Sequence, residues 1–233
     1  MNLLVVVLLQ SAILTVPPVT SVEVVRLAMM ERLQRDVHRQ IRGAQWVKER
    51  IDEDITNPNN PRVEHRERYD VYGDGSRMAQ RKTMRDGVLV REQSQQLPFF
   101  IEPSLLEKFE FTFTEPFNVP CDEHECWRLS FAPKLGLTER TDDEDRKMFA
   151  SSAGTLLVEK STNAIVRVDA HMTQPLRTWL YTVDWSTVTI TQSFHGGVAV
   201  VATIEMSYAS STFFSHKVKR RFYRTVDVRM PPS

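Results

Sequence analysis

The sequence lacks the short motifs that mark common catalytic and nucleotide-binding sites. None of its eight glycines lies in a Gly-x-Ser-x-Gly elbow or a phosphate-binding Gly-x-x-x-x-Gly-Lys segment, and there is no His-Glu-x-x-His motif. The six histidines are scattered, and no two have the spacing of a metal pair on one helix. These absences predict a protein that is not an enzyme and that uses no catalytic residue, metal or cofactor.

An excess of one charge is lacking as well, and so is an apolar run that would span a membrane. The 30 lysines and arginines are balanced by 30 aspartates and glutamates, so no overall charge attracts nucleic acid or an anionic membrane. A spanning helix needs about 20 consecutive apolar residues, and only the N-terminus approaches that length. Membrane association is therefore predicted to be peripheral rather than integral, with no nucleic-acid partner.

The N-terminus has the pattern of a secretory leader. Residues 3–16 are mostly aliphatic, and Pro17 and Pro18 end the run. An apolar run of about 14 residues is the size of a signal-peptide core, and the small residues Val19 and Ser21 suit cleavage after Ser21. Residues 1–21 are therefore predicted to be a signal peptide. Because no Lys or Arg precedes residue 26, a retained anchor or a core strand is the alternative.

Two cysteines, Cys121 and Cys126, lie close together between two predicted strands. A disulfide across the hairpin is favoured, because such a pair is typical of an oxidising compartment. A metal site of both cysteines with His124 is the alternative, although zinc needs a fourth ligand and the spacing matches no standard knuckle. The leader and the cysteine pair together predict an exported protein, in the periplasm or otherwise associated with the cell envelope.

An amphipathic helix is predicted over residues 22–51, because apolar residues recur there at three- and four-residue intervals. These residues are Met30, Leu33, Val37, Ile41, Ala44 and Val47. The stripe is interpreted as core packing rather than as a membrane-binding face. Gly43 weakens the segment by about 1 kcal/mol relative to alanine, so a break there is an alternative.

From residue 62 to residue 229 the apolar period changes to two, which predicts a β-sheet. Phe109, Phe111 and Phe113 show the pattern most clearly, since they alternate with glutamate and threonine. The predicted fold is mainly β with an N-terminal helix (α+β). One large antiparallel sheet, which is large enough to curve and has the helix as cover for its apolar face, is expected in a single domain of residues 22–233.

A cluster of five cations occupies residues 217–224. As a strand, this segment places Lys217, Lys219 and Arg221 on one face and its other two arginines on the opposite face, which does not suit nucleic acid. The segment is interpreted as an edge or outer strand whose charges prevent aggregation. The functional alternative is that Lys217, Lys219 and Arg221 dock an acidic partner protein.

Several segments resemble the LolA-like superfamily of outer-membrane lipoprotein-sorting proteins. Residues 154–169, Gly-Thr-Leu-Leu-Val-Glu-Lys-Ser-Thr-Asn-Ala-Ile-Val-Arg-Val-Asp, are similar to two adjacent central strands of that family. Residues 126–131, Cys-Trp-Arg-Leu-Ser-Phe, with the proline that follows at 133, and residues 221–229 resemble two further strands. The resemblance covers residues 62–229, and its motifs are structural rather than catalytic.

The resemblance implies a half-barrel, a curved sheet wrapped around the helix, with an apolar concave face that receives acyl chains and is lidded by helices. The residues that the alternation places on this face are Phe109, Phe111, Phe113, Trp127, Leu129, Phe131, Val166, Val168, Ile190, Ile204 and Met206. Each of them is equally suited to core packing beneath the helix, which is the alternative interpretation.

Three functional hypotheses follow. The leading one is an exported, non-catalytic protein that holds lipid or lipoprotein acyl chains in the apolar concave face. The second is an envelope sensor or scaffold module that binds a protein partner, since a fold alone does not choose between such roles. A hydrolase centred on His195, which precedes two glycines as in a lipase oxyanion segment, is the third.

Overall fold

In a computed structural model of this protein, the described residues form two helices and one antiparallel sheet. The structure describes residues 19–37, 44–73, 78–86, 88–89, 94–96, 105–122, 124–134, 150–195 and 198–230. Helix α1 spans Ser21–Val37, and the short helix α2 spans Leu105–Lys108. Neither of these helices is long and apolar enough to cross a membrane.

Within the described ranges the sheet contains thirteen strands. In chain order they are β1 (Gln45–Asp54), β2 (Arg62–Gly73), β3 (Met78–Arg85), β4 (Val88–Leu89), β5 (Ser94–Gln96), β6 (Phe109–Cys121), β7 (His124–Pro133), β8 (Ser152–Glu159), β9 (Ile165–Met172), β10 (Leu176–Arg177), β11 (Thr182–His195), β12 (Val198–Ser211) and β13 (His216–Arg229). Ten of the strands have eight residues or more, whereas β4, β5 and β10 have two or three.

The strands are arranged in the order β4-β3-β2-β1-β13-β12-β11-β9-β8-β7-β6, with β5 beside β3 and β10 beside β11. Most neighbours in the sheet are also neighbours along the chain, but β1 pairs with β13 and so joins the two ends of the sequence. The sheet is open, since β4 and β6 do not pair with each other. The predicted fold class, mainly β with one N-terminal helix and a large antiparallel sheet, is confirmed.

Helix α1 begins at a side-chain cap formed by Thr20. Thr20 Oγ1 accepts a hydrogen bond from the backbone N–H of Glu23 at 3.2 Å, and the Thr20 carbonyl accepts one from the N–H of Val24 at 3.1 Å. Val19 precedes the cap and belongs to the same apolar cluster as Val24, which are the positions of a hydrophobic staple. The cap thus includes residues on both sides of the predicted cleavage site, while residues 1–18 lie outside the described residues.

The buried face of α1 packs on the strands β6 to β9. Val24, Val25, Ala28 and Met29 are each at most 3% exposed, and they recur at the spacing of one helix face. The sheet residues buried in the same cluster are Phe109, Phe111, Leu129, Phe131, Leu156, Val158 and Ile165. The helix therefore covers one part of the sheet, and the described contacts place the main core there.

The prediction of one helix over residues 22–51 is wrong in its second half. The chain is a strand from Gln45 to Asp54, so the sheet begins at residue 45 rather than 62, and Gly43 lies outside the described residues. The three- and four-residue spacing that ended at Val47 does not describe this segment. The charged side chains of β1 alternate between the two faces of the sheet, and they form ion pairs with residues of β2 and β13. Because the opposite charges come from neighbouring strands, the spacing of apolar residues along the sequence does not indicate that this segment is a strand.

The interpretation of residues 217–224 as an edge or outer strand is also wrong. Strand β13 lies inside the sheet, between β1 and β12. Its cations face acidic residues of β1: Arg224 Nη2 lies 2.6 Å from Glu49 Oε2, and Arg220 Nη2 lies 2.6 Å from Glu53 Oε2. Opposite charges directly across a pair of strands stabilise that pairing, so the cations help a central strand to pair rather than protecting an edge.

Candidate binding surfaces

The face of the sheet that carries α1, called the inner face, changes in character across the sheet. Paired residues of antiparallel strands share a face, so the registers define one line of inner-face residues through nine strands. From β2 to β6, this line is Glu67, Arg50, Tyr223, Ile204, Ile190, Val168, Leu156, Leu129 and Phe113. The inner face thus has a charged region on β2, β1 and β13 and an apolar region from β12 to β6.

Most of the predicted lining residues lie on the apolar region. Those buried in the cluster beneath α1 are Phe109, Phe111, Leu129 and Phe131, and Phe113, Trp127 and Val168 pack against it while partly buried. The ring of Phe131 contacts that of Phe109 edge to face, with centroids 5.5 Å apart. These seven residues serve as core here, and a role in lining a ligand site stays a prediction.

Val166 is a predicted lining residue that the strand register does not place on the inner face. The pairing of β8 with β9 shifts between Leu157 and Val158, so that Val158 pairs with Ile165. Ile165 is consequently 5% exposed and belongs to the core cluster. The prediction assumed an unbroken alternation through residue 166, where β9 has a β-bulge. A bulge moves the residues on one side of it to the other face of the sheet, so Ile165 takes the place predicted for Val166.

Three predicted lining residues lie outside the helix-covered cluster. Ile204 is 3% exposed, whereas Ile190 and Met206 are half-buried. Ile190 pairs with Ile204, and Met206 pairs with Val188 on the same face. This middle part of the inner face is therefore apolar and lies outside the core cluster beneath α1.

The charged region is organised around two buried carboxylates, Asp52 and Glu67, which are 8% and 6% exposed. Arg221 Nε donates a hydrogen bond to Asp52 at 2.9 Å, and Arg50 Nε donates another at 2.9 Å. Arg50 also reaches Glu67, with Nη1 and Oε2 3.2 Å apart, while the hydroxyl of Tyr69 donates to the same carboxylate. The buried charges are therefore paired and hydrogen-bonded, as burial requires.

This network shifts the pKa values of its members. Burial alone would raise the pKa of Asp52, but the hydrogen bonds from Arg50 and Arg221 hold it below its usual value. Burial and the hydrogen bond to Glu67 raise the pKa of Tyr69 to about 12. Asp52 is therefore an anion and Tyr69 a neutral donor at neutral pH.

The three predicted docking cations differ in their surroundings. Lys217 is exposed. Lys219 lies 3.3 Å from a carboxylate oxygen of Asp54 and pairs with Glu64 as well, and Arg221 belongs to the network around Asp52. Two of the three cations are therefore neutralised within the chain. Their role in docking a partner stays a prediction.

Two neighbouring turns at one end of the sheet carry exposed apolar side chains. Thr182 pairs with Ser211 and Ser211 with His216, so the turn before β11 lies beside the turn between β12 and β13. The apolar residues that these two turns expose, called the aromatic end, are Trp179 (85% exposed), Leu180 (55%), Phe213 (91%) and Phe214 (99%).

The two turns are held in the same way. In each, a threonine N–H donates to the carbonyl three residues later, from Thr178 to Tyr181 at 2.9 Å and from Thr212 to Ser215 at 2.8 Å. The hydroxyl of that threonine also accepts the backbone N–H of Tyr181 or Ser215, at 3.1 Å in both turns. The aromatic end is thus displayed on two rigid turns.

The cysteines form a disulfide at the tip of the β6–β7 hairpin. His124 is exposed and lies 4.0 Å from Glu159, outside any ligand cluster. Among the described residues, no group of three potential ligands that could hold a metal ion is found.

His195 lies at the end of β11, and its Nε2 is 3.0 Å from Ser193 Oγ. A nucleophilic serine also needs a group that orients the histidine. No carboxylate contacts His195 within the described part of the chain, which leaves out Gly196 and Gly197. The hypothesis of a hydrolase rests on a serine–histidine pair alone.

Glu159, 2% exposed, holds the turn between β8 and β9. Its carboxylate accepts the backbone N–H of Ser161 at 2.9 Å and that of Thr162 at 2.7 Å. Burial alone would raise the pKa of Glu159, but the hydrogen bonds from Thr162 and Ser161 lower it to about 2. The turn around Asn163, which has a φ of 57°, therefore has a carboxylate as its anchor.

Sequence reasoning missed both the charged region and the aromatic end. Arg50 and Asp52 lay in or beside the predicted helix, and no apolar pattern marks them. The aromatic end could have been predicted from the sequence. Thr-Trp-Leu-Tyr and Thr-Phe-Phe-Ser place apolar residues inside segments with turn-forming threonine and serine. Apolar residues in a turn are rarely buried by the sheet that the turn connects.

No family model and no curated protein matches the chain. It is similar over 91% of its length to all of a chain in the Pseudomonas aeruginosa MucA/MucB complex, with 9% identity and a TM-score of 0.31. A crystal structure of MucB with MucA(peri) is similar over 88% of this chain and 98% of that one, with 9% identity and a TM-score of 0.28.

The acyl-CoA thioesterase II TesB2 of Mycobacterium marinum is similar over 91% of each chain, with 10% identity and a TM-score of 0.18. TM-scores this low do not establish a common fold. The resemblance to the LolA-like superfamily therefore stays a prediction, and the function has to be inferred from the residues of this chain.

Proposed function

We propose that this protein is an exported, non-catalytic binding protein that docks a protein partner through its aromatic end. The observation that carries the proposal is the exposure of large apolar side chains on two adjacent turns, with Phe213 and Phe214 at 91% and 99%. Single exposed apolar residues are common on soluble proteins, but a cluster of them typically marks a surface that another molecule covers.

The rigidity of the two turns supports a binding role. Because Thr178 and Thr212 fix the turn backbones by hydrogen bonds, the backbones of the two turns lose little conformational entropy when a partner covers the aromatic end. Trp and other aromatic residues that fill a pocket of the partner contribute much of the binding energy in protein interfaces.

The polar rim of the aromatic end favours a protein over a bilayer. Asp184 accepts a hydrogen bond from Ser211 at 2.6 Å and lies 3.5 Å from His216 Nδ1. The rim thus contains a carboxylate and hydroxyl groups, like the rims of protein interfaces. An anionic membrane surface would instead favour a cluster of about four to eight cations, whereas Lys217 and Arg177 are the exposed cations adjoining the two turns.

Export is supported by the disulfide between Cys121 and Cys126 and by the leader pattern. Disulfides persist in oxidising compartments and are rare in the cytosol. A protein of the periplasm or the cell envelope would meet these conditions.

Site-specific photo-crosslinking in cells tests the docking proposal. A photoreactive phenylalanine replaces Phe214, and the same residue at Val88, 68% exposed on β4, is the matched control position. We expect a cross-link to one protein from position 214 and none to that protein from position 88. The purified partner should bind F213S/F214S at least about tenfold more weakly than the unaltered chain, and V88S should bind with unchanged affinity.

The same experiment distinguishes a protein partner from a lipid bilayer and from a second copy of this chain at the aromatic end. Cross-links to lipid alone, with vesicle binding that F213S/F214S abolishes, would identify a bilayer instead of a protein. Cross-links between copies of this chain would identify self-association. If position 214 gives no more cross-linked product than position 88, the aromatic end is not a docking surface.

The hypothesis that the inner face holds acyl chains is a second candidate. It is supported by the middle part of that face, where Ile190 and Met206 are half-buried and lie outside the cluster beneath α1. Native mass spectrometry of the purified chain, with and without added fatty acid, tests it. A ligand-free protein that binds no added fatty acid would contradict this candidate without affecting the docking proposal.

A further inference from the structure

Lys48 occupies an unusual position on the inner face. It lies on β1 between Tyr69 of β2 and Thr225 of β13 in the register, and it is half-buried. Its Nζ lies 4.3 Å from the centroid of the Tyr223 ring. A cation over an aromatic ring is stabilised by the ring electrons, but a ring does not neutralise the charge.

The carboxylates near Lys48 are engaged by other cations. Asp52 pairs with Arg50 and Arg221. Glu67 pairs with Arg50, and its other oxygen lies 3.4 Å from Arg85 Nε. Within the described ranges, no carboxylate forms an ion pair with Lys48.

The charged region therefore has a surplus positive charge. Among the described side chains, the inner-face cations beside its buried carboxylates Asp52 and Glu67 are Lys48, Arg50, Arg85 and Arg221. Burial and the nearby positive charge of Arg50 lower the pKa of Lys48 to about 8. Both effects disfavour the charged form of this lysine, and both would be relieved by an anion placed beside its Nζ.

We propose that the inner face beside Lys48 binds an oxyanion, a carboxylate or a phosphate group, that supplies the missing negative charge. Lys48 would contact the oxyanion directly, and Arg50 and Arg221 would add positive potential while they hold the two carboxylates away from it. The source is either a free anion or the anionic end of a larger apolar molecule, since the middle part of the inner face next to β13 is apolar.

The groups that face Lys48 from the strands packed beside it are Arg50 and Asp52 on β1, Glu67 and Tyr69 on β2, and Arg221 and Tyr223 on β13. The lowered pKa of Asp52 and the raised pKa of Tyr69, about 12, keep these two groups in one state between pH 7 and pH 9. A change in anion binding over that range that is absent from a variant without the Lys48 charge would therefore report on Lys48.

Calorimetric titration with inorganic phosphate and with octyl phosphate tests the site. The variant K48M keeps an unbranched side chain, one atom shorter, and removes the charge, and K217M removes an exposed charge from β13 as the matched control. We expect K48M to weaken binding of the preferred probe at least about tenfold, as loss of a charge-assisted contact does. K217M should bind as the unaltered chain does.

The pH dependence provides a second signature. With a pKa of about 8, Lys48 is mostly charged at pH 7 and mostly neutral at pH 9. Relative to K48M, in which the probe ionises in the same way, affinity should fall about tenfold over that interval. Binding at pH 8.5 should take up a proton, which changes the heat between buffers of different ionisation enthalpy. Neither effect should be present in K48M.

A measurement on the unaltered chain covers the case in which K48M does not fold. The NMR signal of the Lys48 side chain, followed with pH, should shift to a higher pKa in the presence of the bound probe. Tighter binding of octyl phosphate than of phosphate identifies an anion carried on an apolar body, and equal binding identifies a free anion. If neither probe binds, or if both bind K48M unchanged, the proposal is overturned.

Discussion

The two regions of the inner face are stabilised by different interactions on one continuous sheet. In the apolar region, Leu129 is completely buried and the rings of Phe109 and Phe131 pack beneath α1. In the charged region, Asp52 and Glu67 are almost as deeply buried, but arginines surround them instead of apolar side chains. Both regions contain buried side chains, but apolar packing permits burial in one region and ion pairing permits it in the other.

The comparison shows where stability and pairing come from. Burying an apolar side chain stabilises the fold by about 1.5–3 kcal/mol without requiring a particular partner residue. A buried ion pair contributes little in net terms, yet removing one partner costs about 3–5 kcal/mol because a lone charge stays behind. We therefore expect the apolar region to supply stability and the charged region to specify that β1 pairs with β2 and β13.

The largest expected effect is in the apolar region. Leu129→Ala should lower the free energy of unfolding by about 4 kcal/mol, because it leaves a cavity among well-packed side chains. Urea unfolding measures the loss. The exposed Leu180→Ala, at 55% exposure, is the control and should change stability by less than about 0.5 kcal/mol. A loss below about 1 kcal/mol in Leu129→Ala would show that the apolar region is loosely packed.

A smaller effect is expected in the charged region. Asp52→Asn should destabilise the protein by about 2 kcal/mol, less than for a fully buried pair because Arg50 and Arg221 are partly solvated. Asp70→Asn, at an exposed position of β2, is the control and should have little effect. If Asp52→Asn is neutral, the ion pairs do not specify the pairing of β1.

Acid should weaken the same region. The folded-state pKa of Asp52 is depressed, so its stabilising contribution is present above the usual carboxyl pKa of about 3.9 and is lost as pH falls below it. The melting temperature of the unaltered chain should therefore drop more steeply between pH 5 and pH 2.5 than that of Asp52→Asn. Parallel curves would contradict the assigned pKa shift.

The smallest effect concerns the attachment of α1 to the apolar region. Thr20→Ala removes the side-chain cap and should cost about 1 kcal/mol, whereas Thr20→Ser keeps the hydroxyl and should cost less. Thermal unfolding compares the two variants. If both are equally unstable, the cap hydrogen bond to Glu23 does not contribute to the stability of the helix.

The sequence predicted the parts of the fold that depend on local apolar patterns. The alternation of Phe109, Phe111 and Phe113 identified a half-buried strand, and the two-residue period after residue 62 identified the sheet. The same reasoning placed residues 45–51 in a helix, because charged strands have no apolar period. The bulge at Ile165 was also missed, since its position depends on how β8 and β9 pair.

The candidate site was predicted less completely than the fold. Residues of the inner face such as Ile190 and Met206 were chosen correctly as one face, but which of them α1 covers was not predictable. Lys48 was not selected at all, because a half-buried cation without a carboxylate is recognisable only when its neighbours are known. Phe213 and Phe214 were overlooked because their exposure follows from the turn that holds them.

By itself, the sequence determined which residues are apolar, where their period is two, and where Thr20 and Glu23 allow a helix to begin. These properties depend on a few adjacent residues. The tertiary structure alone decided that β1 meets β13, more than 160 residues later in the chain. Charge pairing and the solvation of Lys48 depend on that contact, because an electrostatic interaction is set by the distance and burial of its partners rather than by their order in the chain.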